Sequence, residues 1–270
     1  MTARSSLALV SAAVVLAASC GHPSRVTLPS GAGSPFPAFA AAYAESIGEC
    51  RIVKTISASL SLSGRAGSTK LSARIDAGFA ETGQLRLEGY PKVSFGGKPF
   101  FTLVSRDGDA TLVLNRDGRV LRGTPPAAII EALTGVSVDP DQLRALVSGC
   151  ALGATEPTEG RSFDNKWASL DAGGTTVFLR QIDGRWRVAA ARRASLTVEY
   201  DDFSSGRPAT VRLHTVAAAG AVPADLTLRI SQVEINTTLA SDVFRVEVPS
   251  NAAPITLEEL RRAGPLGDRR

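Results

Sequence analysis

The residues of this 270-residue chain best suited to chemistry are three cysteines and two histidines: Cys20, Cys50 and Cys150, with His22 and His214. A hydrolase of the serine–histidine–aspartate kind needs a histidine within reach of a nucleophile. His22 stands in a stretch rich in Pro, Gly and Ser, and His214 in a strand-like run beside Arg212, so neither is placed as a base. Neither histidine has cysteines or carboxylates at ligand spacing, and no zinc site is expected. The acidic groups Asp107 and Asp109, Asp139 and Asp141, and Asp201 and Asp202 sit at turns with Gly or Pro nearby. There aspartate is favoured because it hydrogen-bonds its own backbone, and no calcium loop of alternating oxygens is completed. The glycine turns at residues 64–67 and 95–98 do not lead from a strand into a helix, as a phosphate loop must. The expectation is a chain without catalysis, cofactor or metal.

Cys20 is different, because of what precedes it. Arg4, an apolar run over residues 7–18 and the small Ser19 outline a signal peptide over residues 1–19. That run is about twelve residues, short of the roughly twenty needed to cross the hydrocarbon core of a bilayer. Residues 16–20, LAASC, resemble the bacterial lipobox, with Ala17 where leucine is commoner. The resemblance implies cleavage before Cys20, a diacylglyceryl group on its thiol and further acylation by chains such as palmitate. The other reading is an ordinary secretory peptide cut near Ala18 or Ser19, leaving a free thiol. Gly21 stands where an aspartate would resemble an inner-membrane retention signal, so the resemblance points to the outer membrane, facing the periplasm. With Cys20 acylated, Cys50 and Cys150 remain, and an oxidising compartment favours joining them. Closing a loop of about a hundred residues would stabilise by up to about 4 kcal/mol. Thirty Lys and Arg face 26 Asp and Glu, and Arg4 leaves with the signal. The remaining excess is too small to suggest a nucleic-acid partner.

The elements that must position these groups follow from periodicity. Residues 20–37 carry the anchor and read as a flexible tether. Residues 36–47 read as a helix, with Phe39, Tyr43 and Ile47 four apart. Past Cys50 the period becomes two: Ile56, Ala58, Leu60 and Leu62 alternate with Ser57, Ser59, Ser61 and Ser63. After a turn, Leu71, Ala73, Ile75, Ala77 and Phe79 form the apolar side of a second long strand. Strands are expected at 84–90, 100–105, 111–115 and 119–122, with Asp107-Gly108 and Asp117-Gly118 as hairpin signals. Helical spacing returns at 126–133, with Ile130 and Leu133, and at 141–147, with Leu143 and Leu146. Strands resume at 166–170, 175–181, 185–190, 195–200, 210–216, 225–234 and 244–248, and a frayed helix is expected from residue 257. No repeat or internal linker appears, so residues 38–262 read as one domain followed by a polar tail, 263–270. The fold class expected is mainly β (α+β), a curved antiparallel sheet of about eleven strands, which at that size must curl or close. Arg180, Arg185, Arg187, Arg192 and Arg193 read as the solvated face of strands, or as a surface for anionic lipid heads.

Residues 110–152, ATLVLNRDGRVLRGTPPAAIIEALTGVSVDPDQLRALVSGCAL, and residues 244–259, FRVEVPSNAAPITLEE, carry a likeness. In order of elements they resemble the LolA/LolB superfamily of lipoprotein-localisation proteins. The likeness implies a half-barrel with the two mid-chain helices as a lid over an apolar concavity that shelters acyl chains of lipids or lipoproteins. The lid would be Ile130, Leu133, Leu143 and Leu146, and the wall Leu60, Leu62, Leu71, Ile75 and Phe79. The alternating apolar residues also suit an ordinary filled core, and then the expectation is a scaffold or sensor lipoprotein that binds a periplasmic protein partner. Residues 91–101, with Val93, Phe95, Phe100 and Phe101, are a candidate for the protruding apolar loop of the receptor subfamily, or a buried strand end.

Overall fold

The computed structural model describes residues 26–264 apart from 93–96, 154, 165 and 217–221. Cys20 and His22 lie outside the described residues. The serine-and-leucine alternation builds the centre of the molecule. Strand β2 (Ile56–Ala66) pairs antiparallel with β3 (Thr69–Ala80), setting Ile56 opposite Phe79, Leu60 opposite Ile75 and Leu62 opposite Ala73. Because side chains alternate across a strand, all of these point to one buried face, and Ser57, Ser59, Ser61 and Ser63 point to the other.

From this hairpin the chain meanders outward through β4 (Gln84–Tyr90), β5 (Phe101–Arg106), β6 (Asp109–Leu114) and β7 (Arg119–Thr124). It then crosses by helices α2 (Pro126–Thr134) and α3 (Pro140–Ser148) to the opposite edge. There it re-enters at β8 (Glu159–Phe163) and returns through β9 (Trp167–Asp171), β10 (Thr175–Ile182), β11 (Arg185–Arg193), β12 (Leu196–Ser204) and β13 (Arg207–Thr215). Strand β14 (Ala224–Ile235) closes the path by pairing with β2. Two-residue strands, β1 (Ser34–Pro35) on β8 and β15 (Ala253–Pro254) on β7, complete one open sheet of 15 strands. All pairings are antiparallel except that of β15 with β7.

The sheet curves around α2 and α3, and the main core lies between its concave face and these helices. Helix α1 (Phe39–Arg51) covers β11 and buries Ala42, Tyr43 and Ile47. Helix α2 begins with Pro126 and ends at Gly135, in the left-handed conformation. Helix α3 begins with a full capping box: the Asp139 side chain accepts from the Gln142 N–H, and the Gln142 side chain accepts from the Asp139 N–H. It ends at Gly149, whose φ of 86° suits glycine, and a Cβ there would fall 2.8 Å from Pro208. A disulfide joins Cys50, at the end of α1, to Cys150, just past α3, with Cα atoms 5.6 Å apart. Buried Tyr200 donates to the carbonyl of Cys150 at 2.9 Å.

Three expectations differ from the structure. The strand expected at 244–248 does not form; residues 241–244 make turns, and the chain pairs again only at β15. Only Phe244 of that stretch is buried, so nothing pays for a ladder there. The sheet is larger than about eleven strands, because β8 has no apolar alternation to mark it and β1 and β15 are too short to show a period. The tail from residue 257 is a capped helix, α4 (Leu257–Ala263), whose Thr256 and Glu259 form a second capping box and whose Leu260 is buried.

Candidate functional site

The concave face and α2 do not close completely on one another. Between them lies a void of about 40 Å³. Its floor is Leu62 and Ala73 from the central hairpin with Ile75 beside them, its side wall is Leu87, Phe101 and Leu103, and its roof is Ile130, Leu133 and Thr134 of α2. Phe100 also lines it, standing edge-on to Phe101 with ring centroids 5.2 Å apart. Gly89 makes room for that wall: a Cβ at this position would fall 2.1 Å from the Phe101 ring. Thr134 brings the one polar side chain, and its hydroxyl already donates to the Ile130 carbonyl at 2.7 Å. The lining offers no unmet hydrogen bond, so water has little reason to enter and an apolar guest has every reason to.

The residues read from sequence as cavity wall and lid divide in two. Leu62, Ile75, Ile130 and Leu133 line the void. Leu60, Leu71, Phe79, Leu143 and Leu146 are buried in the main core away from it. The lining residues missed from the site are Leu87, Leu103, Thr134 and the Phe100–Phe101 pair. The clue was available in the alternation of residues 84–90 and 101–105, which sets Leu85 and Leu87 of β4 and Phe101 and Leu103 of β5 on the same face as the apolar members of β2 and β3. Phe100 and Phe101 belong to the stretch considered as a protruding loop; Phe101 is buried, whereas Val93 and Phe95 lie outside the described residues.

The two helices of the cover are held differently. Helix α3 is pinned at its end by the disulfide, and Arg144 on it donates to the Val53 carbonyl and to Asp141. Helix α2 is backed by α4, through a contact that includes an Arg261–Glu131 pair at 3.4 Å with both side chains half exposed. Exposed pairs of this kind contribute at most about 1 kcal/mol. Of the two, α2 is therefore the element freer to move.

The polar candidates settle into structural places. Asp139 caps α3, Asp107 adopts positive φ at a hairpin tip, and Asp202, expected at a turn, instead adopts positive φ inside β12 and accepts from the Thr210 hydroxyl at 2.6 Å. His214 lies in β13 across from Thr197 and Asp225. Among the described residues no three His, Cys, Asp or Glu side chains come together as a metal site, and no helix is long and apolar enough to cross a membrane. Arg187 and Arg193 of the basic stretch are engaged: Arg187 pairs with Glu49 at 3.6 Å, and Arg193 donates to Thr175 and to the Leu152 carbonyl.

No family model matches the chain, and no curated protein matches it in sequence. Solved structures are similar to it at low identity. A LolA superfamily protein from Nitrosomonas europaea is 11% identical with a TM-score of 0.49, over 76% of this chain and 94% of its own. A putative outer membrane lipoprotein-sorting protein domain from Vibrio parahaemolyticus is 11% identical with a TM-score of 0.46, over 71% and 89%. The lipoprotein LppX from Mycobacterium tuberculosis is 13% identical with a TM-score of 0.32, over 76% and 99%.

Proposed function

We propose that this chain is an envelope lipoprotein, anchored in the outer membrane through an acylated Cys20, that binds acyl chains of lipids or lipoproteins between its concave sheet face and α2, in the service of lipoprotein localisation. The void beneath α2 carries the reading, because its lining is apolar but for the Thr134 hydroxyl, which is internally satisfied. At about 40 Å³ it is far below the roughly 300–1,000 Å³ of a ligand site. The structure is then the closed state, and an acyl chain enters as α2 swings outward from its Pro126 and Gly135 ends. No bond is made or broken. The chain's own residues supply an apolar wall, a movable roof and, at Thr134, a hydroxyl already turned away from the guest.

The near-complete filling of the core supports a second reading, a non-enzymatic scaffold or sensor lipoprotein that binds a protein partner in the envelope. The two separate in native mass spectrometry of the mature protein, purified from bacterial membranes without delipidation. On the first reading phospholipid or acylated peptide co-purifies, and the void-filling Ala73→Leu removes it while the circular dichroism stays native. A clean mass, together with no uptake of a fluorescent fatty acid by the folded protein, would overturn acyl binding in favour of the scaffold.

A further inference from the structure

The second half of the presumed tether packs on the domain. Val26 and Leu28, with Phe163, cover a second apolar cluster made by Trp167, Phe178, Ala189 and Ala190, separate from the main core. Register sets this cluster on the convex face: Phe163 is opposite Trp167 and Trp167 opposite Arg180, and in the next row Arg161 faces Ser169, which faces Phe178. The Arg180 guanidinium lies 5.5 Å from the Trp167 ring centroid, and that of Arg192 lies 5.5 Å from Phe178. Arg161, Arg180 and Arg192 are exposed. Between the Val26–Ser30 strap and the sheet runs an open groove of about 770 Å³, reaching Trp167 and Arg180. Asp164 and Asp201 also line it, and Asp201 is matched by Arg212 at 3.3 Å.

Aromatic rings under arginine, beside an apolar strap, suit the headgroup level of a bilayer, where an amphipathic side chain can meet apolar chain and phosphate together. The path of the chain selects that partner. Only residues 21–25 separate Cys20 from Val26, and six residue steps span at most about 20 Å when fully extended. On the reading of Cys20 as a lipid anchor, on which this inference rests, the strap holds this face within that distance of the membrane.

We propose that the convex face around Trp167, Phe178, Arg180 and Arg192 rests on the bilayer, its arginines on the phosphates of anionic phospholipid. The strap fixes the orientation, so that α2 and the concave face turn away from the membrane toward the periplasm. The two tryptophans report on it from opposite sides of the sheet: Trp167 on the convex face, and Trp186 packed against the main core with Phe36, ring centroids 5.5 Å apart.

The test reconstitutes the mature lipoprotein, its acylation verified by mass, into vesicles of brominated phosphatidylglycerol or phosphatidylcholine and reads tryptophan quenching. Trp186→Phe leaves Trp167 as reporter, and Trp167→Phe leaves Trp186. Trp167 is expected to be quenched several-fold more than Trp186, most in phosphatidylglycerol, and Arg180→Glu with Arg192→Glu abolishes the difference while the circular dichroism stays native. Should a tryptophan variant not fold, a nitroxide on Ser169→Cys reads the same contact by collision with a membrane-embedded relaxant. An acylated, anchored protein whose Trp167 or Ser169 label meets no lipid overturns this surface alone, the outcome expected if the face binds a protein instead. An unacylated Cys20 overturns the anchor and this surface together.

Discussion

Tyr200 shows how one side chain ties the cover to the sheet and makes stability sensitive to alkali. It is buried, and its hydroxyl holds the carbonyl of Cys150, the residue that locks α3 to α1. Burial pushes its phenol well above the ordinary tyrosine range. The phenol of Tyr90 is pushed up to about 12, chiefly by burial and then by its bond to the Glu88 carboxylate at 2.9 Å. A raised folded pKa means that the folded state keeps a proton which the unfolded state surrenders. The stability from each group is therefore intact below about pH 10, the ordinary tyrosine value, and is lost as pH climbs toward the folded value. Melting temperature should fall steeply above pH 10, and Tyr200→Phe should flatten that fall. The same variant should cost about 0.5–1.5 kcal/mol at neutral pH, the net worth of one hydrogen bond, because the Cys150 carbonyl keeps the Leu152 N–H as a second donor at 2.8 Å. Parallel pH profiles for the two proteins would refute the assignment.

At the scale of elements, the difference between α2 and α3 can be measured. Helix α3 has a capping box, a glycine cap wedged against Pro208 and a disulfide, whereas the N-cap of α2, Pro125, offers no side-chain bond. Asp139→Ala should cost about 1 kcal/mol in urea unfolding. Amide exchange should open α2 before α3 in the oxidised protein, and reduction of the disulfide should shrink the gap; equal protection of both helices would remove α2 as the moving roof. The signals behind these elements stood in the sequence. The spacing of Leu143 and Leu146 announced α3, though not the Asp139–Gln142 capping box that starts it, and the serine alternation announced β2. Strand β8 was hidden because residues 159–163, EGRSF, have no apolar period, and its pairing is imposed by β9. The void was hidden for another reason: alternation says which face of a strand is buried, but only the approach of α2 decides where packing fails. The convex cluster was equally silent, since Trp167 and Phe178 belong to different strands and meet only through register.

For the whole molecule, the problem is an open sheet whose last full strands, β7 and β8, would expose unpaired backbone and invite association with other chains. The same device guards both edges. Ser34–Pro35 pairs with β8 and Ala253–Pro254 with β7, two residues each, and each contains a proline, which cannot donate to a further strand. On the β7 side the guard continues into the roof of the site: Ala253 and Ile255 donate to the carbonyls of Gly118 and Val120 at 2.8 Å, and α4 then packs on α2. One segment thus blunts an edge and holds the lid. Removing residues 253–270 takes away both functions, with the burial of Ile255 and Leu260, while the disulfide and the rest of the sheet remain. The truncated protein should keep its β circular dichroism, take up a fluorescent fatty acid faster than the full chain, and associate in a concentration-dependent way in sedimentation. Faster uptake without association would leave the lid role and discard the edge role; association with unchanged uptake would do the reverse. A monomeric protein with unchanged uptake would show that α2 is held by the sheet alone, and the opening of the void would then have to begin at another element.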